Sequence, residues 1–273
     1  MAEAAHLGAV AHTVAEQAFR EGLSEYDIHQ RYCMSIQMVD AELPYGNIVA
    51  LNEHGAVLHY QEHEQRVPAS VRSFLIDAGA TVHGYACDIT RTYTSETGEF
   101  ADLIAAMDTM QLDLCAAVVK DLDYRDLHLR AHLDIAGILK DFNIIRPSAE
   151  DAVASGLSAV FYPHGLGHFL GLQTHDVAGL IADVDGTPIP RPEGHPFLRL
   201  TRTLEAGNVL TIEPGLYFIE PLLRKWRENG DIAAINWDKV DALAPFGGIR
   251  IEDDIVVTHG APLNLTRDAF AAL

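Results

Sequence analysis

Ser73-Phe74-Leu75-Ile76-Asp77-Ala78 reads as a buried strand with a carboxylate near its end. Its apolar run is bounded by Gly79, and the flanking residues predict a strand rather than a helix. Burying a lone ionised carboxylate costs several kcal/mol, so Asp77 needs a partner. Three more acids stand in comparable places. Asp88 lies on the next strand, Tyr85 to Tyr93, inside Ala86-Cys87-Asp88-Ile89-Thr90. Glu213 ends the strand Asn208 to Glu213 in Val209-Leu210-Thr211-Ile212-Glu213-Pro214-Gly215, and Glu252 interrupts Gly248 to Val257. For any one of them the plain alternative is a salt-bridged carboxylate at a strand end. Around Asp77, Asp88 and Glu213 the one neighbouring cation is Arg91. Two divalent ions would balance four carboxylates, and one imidazole would complete the set.

Working outward, the chain alternates helices and strands. Helical spacing of Leu7, Val10, Val14 and Ala18 predicts a helix from His6 to Arg20, ended by Gly22. Ser24 and Asp27 read as a cap pair for a second helix running to about Asp40. Asn47 to Leu51 and Ala56 to Tyr60 read as two strands of a hairpin around Asn52-Glu53-His54-Gly55. Helices are expected at Glu99 to Lys120, Asp123 to Phe142 and Ser148 to Gly156. Asp183 to Pro196, rich in Pro and Gly, reads as a long functional loop. Helices followed by strands, twice, predict an α+β domain of two similar halves.

Lys and Arg number 19 against 39 Asp and Glu, a formal charge of −20. That balance argues against nucleic acid or an anionic membrane as partner, and it suits bound cations. With 48% hydrophobic residues in 273, the chain can bury a sizeable core. Cys33, Cys87 and Cys115 are widely spaced and form no CxxC pair, which predicts reduced thiols in a cytoplasmic protein. The N-terminus has no basic region followed by an apolar run, so no signal peptide is expected. No apolar stretch approaches the roughly 20 residues of a membrane span.

Phe161 to Asp176 holds three histidines, His164, His168 and His175, among glycines and apolar residues. An ordinary core segment rarely needs three imidazoles, whereas a metal site needs a nitrogen ligand and a hydrolytic site an acid or hydrogen-bond donor. An oxygen-rich set with one His favours Mn²⁺, with Co²⁺ or Zn²⁺ also able to bind. The absence of cysteine ligands argues against a structural zinc site.

Asp77, Asp88, His168, Glu213 and Glu252, in this order, resemble the metal set of the pita-bread metallopeptidases, peptidase family M24. That family includes methionine aminopeptidase, Xaa-Pro aminopeptidase, prolidase and creatinase. The resemblance runs from Tyr26 to Asp268. Its most specific parts are Leu75 to Gly79, Asp88-Ile89-Thr90-Arg91-Thr92, Pro163 to His168, Thr211 to Gly215 and Gly248 to Asp253. Phe246 to Asp253 and Asn52 to Tyr60 are most similar to the bacterial Xaa-Pro dipeptidase (prolidase) branch.

The resemblance implies a pita-bread fold, with two pseudo-symmetric α/β halves, about 1–122 and 123–273, around a curved antiparallel sheet. It implies one catalytic domain over 1–273, with the smaller N-terminal domain usual in the prolidase branch absent. Asp77 would chelate one metal, His168 and Glu213 the other, and Asp88 and Glu252 would bridge the two. Glu213 would take a proton from a hydroxide-forming water between the ions. His175 would contact the substrate and stabilise the tetrahedral intermediate. His59 and Tyr45 would lie beside the substrate, and His164 would line the site. Arg199 would clamp the substrate carboxylate, with Arg202 as the alternative clamp. Arg250 would steady the carboxylates, and His54 reads as a turn residue. The implied activity is hydrolysis of Xaa-Pro dipeptides or short proline-containing peptides, and a homodimer is compatible with it. The alternatives are an Xaa-Pro aminopeptidase acting on longer peptides and a non-catalytic binding module on the same fold.

Overall fold

The computed structural model describes residues 1–273. The first half contains α1 (Ala2–Arg20), α2 (Glu25–Ile36), β1 (Ile48–Leu51), β2 (Ser73–Ala78), β3 (Thr81–Val82), β4 (Tyr85–Ala86) and β5 (Ile89–Thr94). Then come α3 (Glu99–Ala116), α4 (Tyr124–Asp141), α5 (Ala149–Ala154) and α6 (Ser158–Phe161). The chain continues with β6 (Val209–Ile212), β7 (Gly215–Tyr217), α7 (Glu220–Asn229) and α8 (Trp237–Leu243). It ends with β8 (Gly248–Arg250), β9 (Asp253–Val256), β10 (Leu263–Asn264) and α9 (Leu265–Ala271).

Caps explain several starts. Ser24 Oγ accepts from the Asp27 N–H at 3.1 Å and donates to the Asp27 carboxylate at 2.7 Å, opening α2. Asp123 and Ser148 do the same work for α4 and α5. α2 ends at Ile36, not near Asp40, because Gln37 turns left-handed at φ 56° and stops the helical ladder.

The antiparallel sheet β1–β2–β5 belongs to the first half and β10–β9–β6 to the second, with β7–β8 as a separate pair. An antiparallel bridge from Thr90 to Glu252 joins the halves, and the Glu252 N–H donates to the Thr90 carbonyl at 3.0 Å. Two large cores divide between Ile89 and Phe100, so that α3 packs with the second, and a small third cluster of Ile48, Ala50, Tyr60, Leu75 and Tyr217 draws on both parts. One runs from Ala4 to Ile89 with Ala269 added, under α1, α2 and the first sheet. The other spans Phe100 to Val257. α9 crosses back to pack on α1.

The hairpin expected around Asn52 does not form. β1 pairs with β2 instead, Ile48 opposite Asp77. Asn52 adopts φ 55°, and its side-chain oxygen accepts from the N–H groups of Arg72 and Ser73, which turns the chain into a 3-10 turn over Asn52–Ala56. Ala56 to Tyr60 makes local turns and borders a cavity rather than joining a sheet. The long strands expected at Tyr85–Tyr93 and Gly248–Val257 are each broken in the middle, at Cys87–Asp88 and at Ile251–Glu252. Both breaks fall on site carboxylates. At Asp88 the N–H leaves the ladder and donates to the Asp254 carboxylate at 3.2 Å. Asp183 to Pro196 contains no helix or strand, as expected of a loop. All three cysteines are free and buried. No helix is long and apolar enough to cross a membrane.

Candidate metal centre

Asp77 comes from the end of β2, opposite Thr90 of β5. Asp88 comes from the break before β5, Glu213 from the turn after β6, and Glu252 from the break before β9. His168 is delivered by the Pro163–His168 segment, whose main chain exchanges hydrogen bonds with β6. The Thr211 N–H donates to the His168 carbonyl at 2.9 Å, and the His168 N–H donates to Thr211 Oγ1 at 3.2 Å. Gly167 permits this approach, since a Cβ there would sit 2.0 Å from the Thr211 carbonyl oxygen.

The ligand atoms converge. His168 Nε2 lies 3.4 Å from Asp88 Oδ2 and 3.6 Å from Glu213 Oε1. Its Nδ1 donates to the Phe169 carbonyl at 2.9 Å, which leaves the Nε2 lone pair facing the carboxylates in the neutral ring. Asp88, His168 and Glu252 have ligand atoms within 4.8 Å of one another, a possible metal-ligand set. Tyr45 donates to Asp88 Oδ1 at 2.5 Å, and Thr90 Oγ1 donates to Glu252 Oε2 at 2.6 Å.

Arg250 is the one guanidinium at the centre. Its Nη2 donates to Asp77 Oδ2 at 2.6 Å and its Nη1 to the Tyr217 hydroxyl at 2.9 Å. Arg91, which the sequence offers as a partner for the acids, faces away and pairs with Asp253 at 2.7 Å. The remaining negative charge is visible in the proton affinities. Burial pushes Glu213 up to about 7, against the opposing pull of His168. Burial, then Asp88 and Glu213, holds Glu252 well above the carboxylate range. Asp77 is also raised by burial, more than Arg250 lowers it. Asp88 goes the other way: burial acts upward, but the hydrogen bond and charge of His168 and the Tyr45 hydroxyl bring it down. His168 is raised, because the Asp88 and Glu213 carboxylates outweigh its burial. The carboxylates thus strengthen the hold of His168 on a proton, and a metal at Nε2 would compete with that proton.

This donor set fits divalent ions. Four carboxylates meet one guanidinium and one imidazole, and Asp77 Oδ1 is buried with no hydrogen-bond partner. Oxygen-rich sites of this kind suit hard or borderline cations.

The centre opens into a cavity of about 1680 Å³, larger than the ~300–1,000 Å³ of ordinary ligand clefts. Tyr45, His59, His164, His175 and Arg199 all line it together with the five ligand residues and Arg250. The His175 ring meets His168 edge-on at 4.4 Å. Burial, then His168 and Arg199, lowers His175 to about 4, so it is neutral at pH 7. His164 is lowered to about 3, chiefly by burial and then by Arg250. His164 Nδ1 donates to the Gly165 carbonyl at 2.8 Å, and its Nε2 accepts from the Tyr217 hydroxyl at 2.9 Å. His59 and Arg199 are exposed on the cavity wall. Arg202 lies off the cavity and pairs with Glu205 at 3.0 Å. His54 is more than a turn residue: its Nδ1 donates to the buried Glu25 at 2.7 Å, and its ring stacks on Tyr60.

Sequence reading missed Tyr217, Thr90 and Asp254, which hold Arg250, Glu252 and the Asp88 N–H. It also missed Arg72 and Arg191 on the cavity wall. Thr90 stands between Asp88 and Arg91 in the sequence, and its strand position opposite Asp77 is the signal that could have found it. Tyr217 carried no local signal.

A family model described as metallopeptidase family M24 matches residues 1–259. The chain is 59% identical over 262 residues to an Xaa-Pro dipeptidase of Xanthomonas campestris pv. campestris, covering 96% of this chain and 59% of that protein. It is 56% identical over all 273 residues to an Xaa-Pro dipeptidase of Stenotrophomonas maltophilia, 62% of whose length is covered. The chain therefore spans about three fifths of the curated relatives it matches. Among solved structures, zinc-substituted E. coli aminopeptidase P in complex with product superposes with a TM-score of 0.77 at 29% identity, over 98% of this chain and 55% of that one. Aminopeptidase P from E. coli with the inhibitor Pro-Leu gives 0.76 at 28% identity, over 98% and 55%. The architecture is the α+β pita-bread fold of these neighbours.

Proposed function

The chain belongs to metallopeptidase family M24, and on that premise we propose that it hydrolyses Xaa-Pro dipeptides with two divalent metal ions, Mn²⁺ above all. Asp77, Asp88, His168, Glu213 and Glu252 would hold the ions. The observation that carries this reading is one cavity lined both by that ligand set and by the residues suited to a proline dipeptide. Identity of 56–59% to Xaa-Pro dipeptidases supports the substrate class. The chemistry such ions supply when bound is an activated water at neutral pH and polarisation of the scissile carbonyl.

The residues of the chain do the rest. The bond cleaved is a tertiary amide whose proline nitrogen has no N–H, so that nitrogen must be protonated as it leaves. Glu213, whose carboxylate faces His168 in the cavity, is suited to take a proton from the attacking water and return it to that nitrogen. His175 is neutral at pH 7, and its ring N–H can donate to the oxyanion that develops at the carbonyl. Arg199 offers a planar pair of donors to the dipeptide's terminal carboxylate. Tyr45 and Thr90 fix the orientation of Asp88 and Glu252, and Arg250 that of Asp77.

The test is hydrolysis of Leu-Pro by the chain with added Mn²⁺. Absence of metal-dependent turnover would sink the reading. A second reading, Xaa-Pro aminopeptidase on longer peptides, is favoured by the breadth of the cavity and the aminopeptidase P neighbours. Faster cleavage of an Xaa-Pro-Xaa tripeptide than of the dipeptide would select it.

A further inference from the structure

A second cluster of metal-binding side chains lies apart from the carboxylates. His128 and His132 are one turn apart on α4 and share a face. His195 reaches them from the Asp183–Pro196 loop. One nitrogen from each ring lies within 4.8 Å of the others. His128 Nε2 and His195 Nδ1 share a hydrogen bond at 2.9 Å, a contact that a metal ion would replace, and the three ring centroids are 4.5–4.8 Å apart. A tetrahedral zinc site with bonds of 2.0–2.1 Å needs nitrogens about 3.3 Å apart, so small ring movements suffice.

Three imidazoles packed this closely need an explanation. His128 and His132 are each 1% exposed. His132 Nδ1 is engaged by Ser158 Oγ at 3.0 Å, which leaves Nε2 as the free nitrogen. That Nε2 is buried and has no hydrogen-bond partner, as is His128 Nδ1. The group carries no carboxylate to balance an imidazolium. Burial and mutual repulsion accordingly keep the rings neutral, His128 at about 2 and His132 at about 3. Neutral imidazoles are ready nitrogen donors, and His195, only half-buried, borders solvent.

We propose that His128, His132 and His195 bind one Zn²⁺ ion, separate from the carboxylate centre, which fastens the Asp183–Pro196 loop to α4. The position matters because the next residues, Pro196, Phe197 and Arg199, line the cavity. The site anchors the loop beside the wall that presents Arg199. Imidazole-only ligation selects zinc, nickel or copper over manganese, so the two sites differ in metal preference.

The test is the zinc content of the full chain equilibrated with Zn²⁺, compared among the unaltered protein, His132→Gln and His195→Gln. The expected result is one equivalent less in each variant. Equal zinc content in all three proteins overturns the site. Anomalous diffraction at the zinc edge from crystals of the unaltered protein gives a check that needs no variant to fold. A peak coordinated by the three rings is expected, and its absence at saturating Zn²⁺ rejects the proposal. Zn²⁺ should also slow proteolytic cleavage within residues 183–194 in the unaltered protein and not in His195→Gln. Equal cleavage rates with and without Zn²⁺ would overturn the fastening of the loop. None of these readouts depends on peptide hydrolysis, so the Leu-Pro assay can fail without deciding them.

Discussion

Glu252 and Asp253 are sequence neighbours, each almost sealed from solvent at 2% and 0% exposure, and the chain treats them in opposite ways. Asp253 accepts from Arg91 at 2.7 Å, from Arg267 at 2.7 Å and from Asn264 at 2.8 Å. Burial acts to raise it, yet the two guanidinium groups bring it down to about 2. Glu252 receives one hydroxyl, from Thr90, and faces three other carboxylates. Successive residues of an extended chain point to opposite faces, so one step along it separates the two environments. On the Asp253 side the protein neutralises its own buried charge. On the Glu252 side it leaves the charge uncompensated. Burial of an acid alone therefore says little; which cations the fold brings to it decides whether its charge is neutralised from within.

The comparison can be broken in four ways. Glu213→Gln should lower kcat/KM for Leu-Pro by roughly 10⁴-fold, about 5 kcal/mol of barrier, since it removes both ligand and proton carrier. Its melting temperature without metal should not fall. Asp253→Asn should do the reverse, leaving two guanidinium groups uncompensated. It should cost about 3–5 kcal/mol of stability in denaturant unfolding, while turnover per folded molecule stays within a few-fold. If Asp253→Asn proves harmless to stability, the contrast fails.

Metal removal gives a smaller effect. Stripping ions present at about a hundred times their dissociation constant should cost ~2.7 kcal/mol of stability. That loss should disappear in Glu252→Gln and persist in a protein altered at Arg267. The smallest effect is a pH slope. Glu213 is raised from 4.5 to about 7 in the fold. Its stabilising protonated form is therefore fully present below pH 4.5 and lost as pH rises through 7. In metal-free protein, the stability difference between the unaltered chain and Glu213→Gln should shift by about 2 kcal/mol against the former between pH 5 and 7.5. A flat difference would show that Glu213 is not held protonated by its surroundings.

The strand Ser73–Ala78 with its acid was legible because an apolar run and a misplaced carboxylate are both local signals. So were the cap at Ser24 and the helix starts at Asp123 and Ser148, which the fold uses as caps. The hairpin at Asn52 was misread because its turn chemistry is long-range: Asn52 serves the N–H groups of Arg72 and Ser73, twenty residues away. The breaks at Asp88 and Glu252 were hidden for a related reason. Their sequences keep strand composition, and only the opposite half, through Asp254 and Thr90, pulls the backbone out of line. Arg91 shows the same limit, since proximity in sequence to Asp88 pointed to the wrong carboxylate. The five residues of the candidate centre stand in recognisable sequence contexts, whereas Tyr217 and the rings of His128, His132 and His195 became visible only when the fold assembled them.

The return of α9 to α1 has a consequence for synthesis. The core formed by Ala4 to Ile89 is completed by Ala269, with Leu265 and Phe270 packed on it. The intervening core, Phe100 to Val257, has all its residues earlier in the chain than α9. During synthesis, nineteen of the twenty buried residues of the first core emerge before the second core begins, but the face of α1 that meets α9 stays uncovered until Leu265–Ala271 has been made. A polypeptide stalled before Leu265 would therefore leave that face of α1, and the partly buried residues around it, open to water.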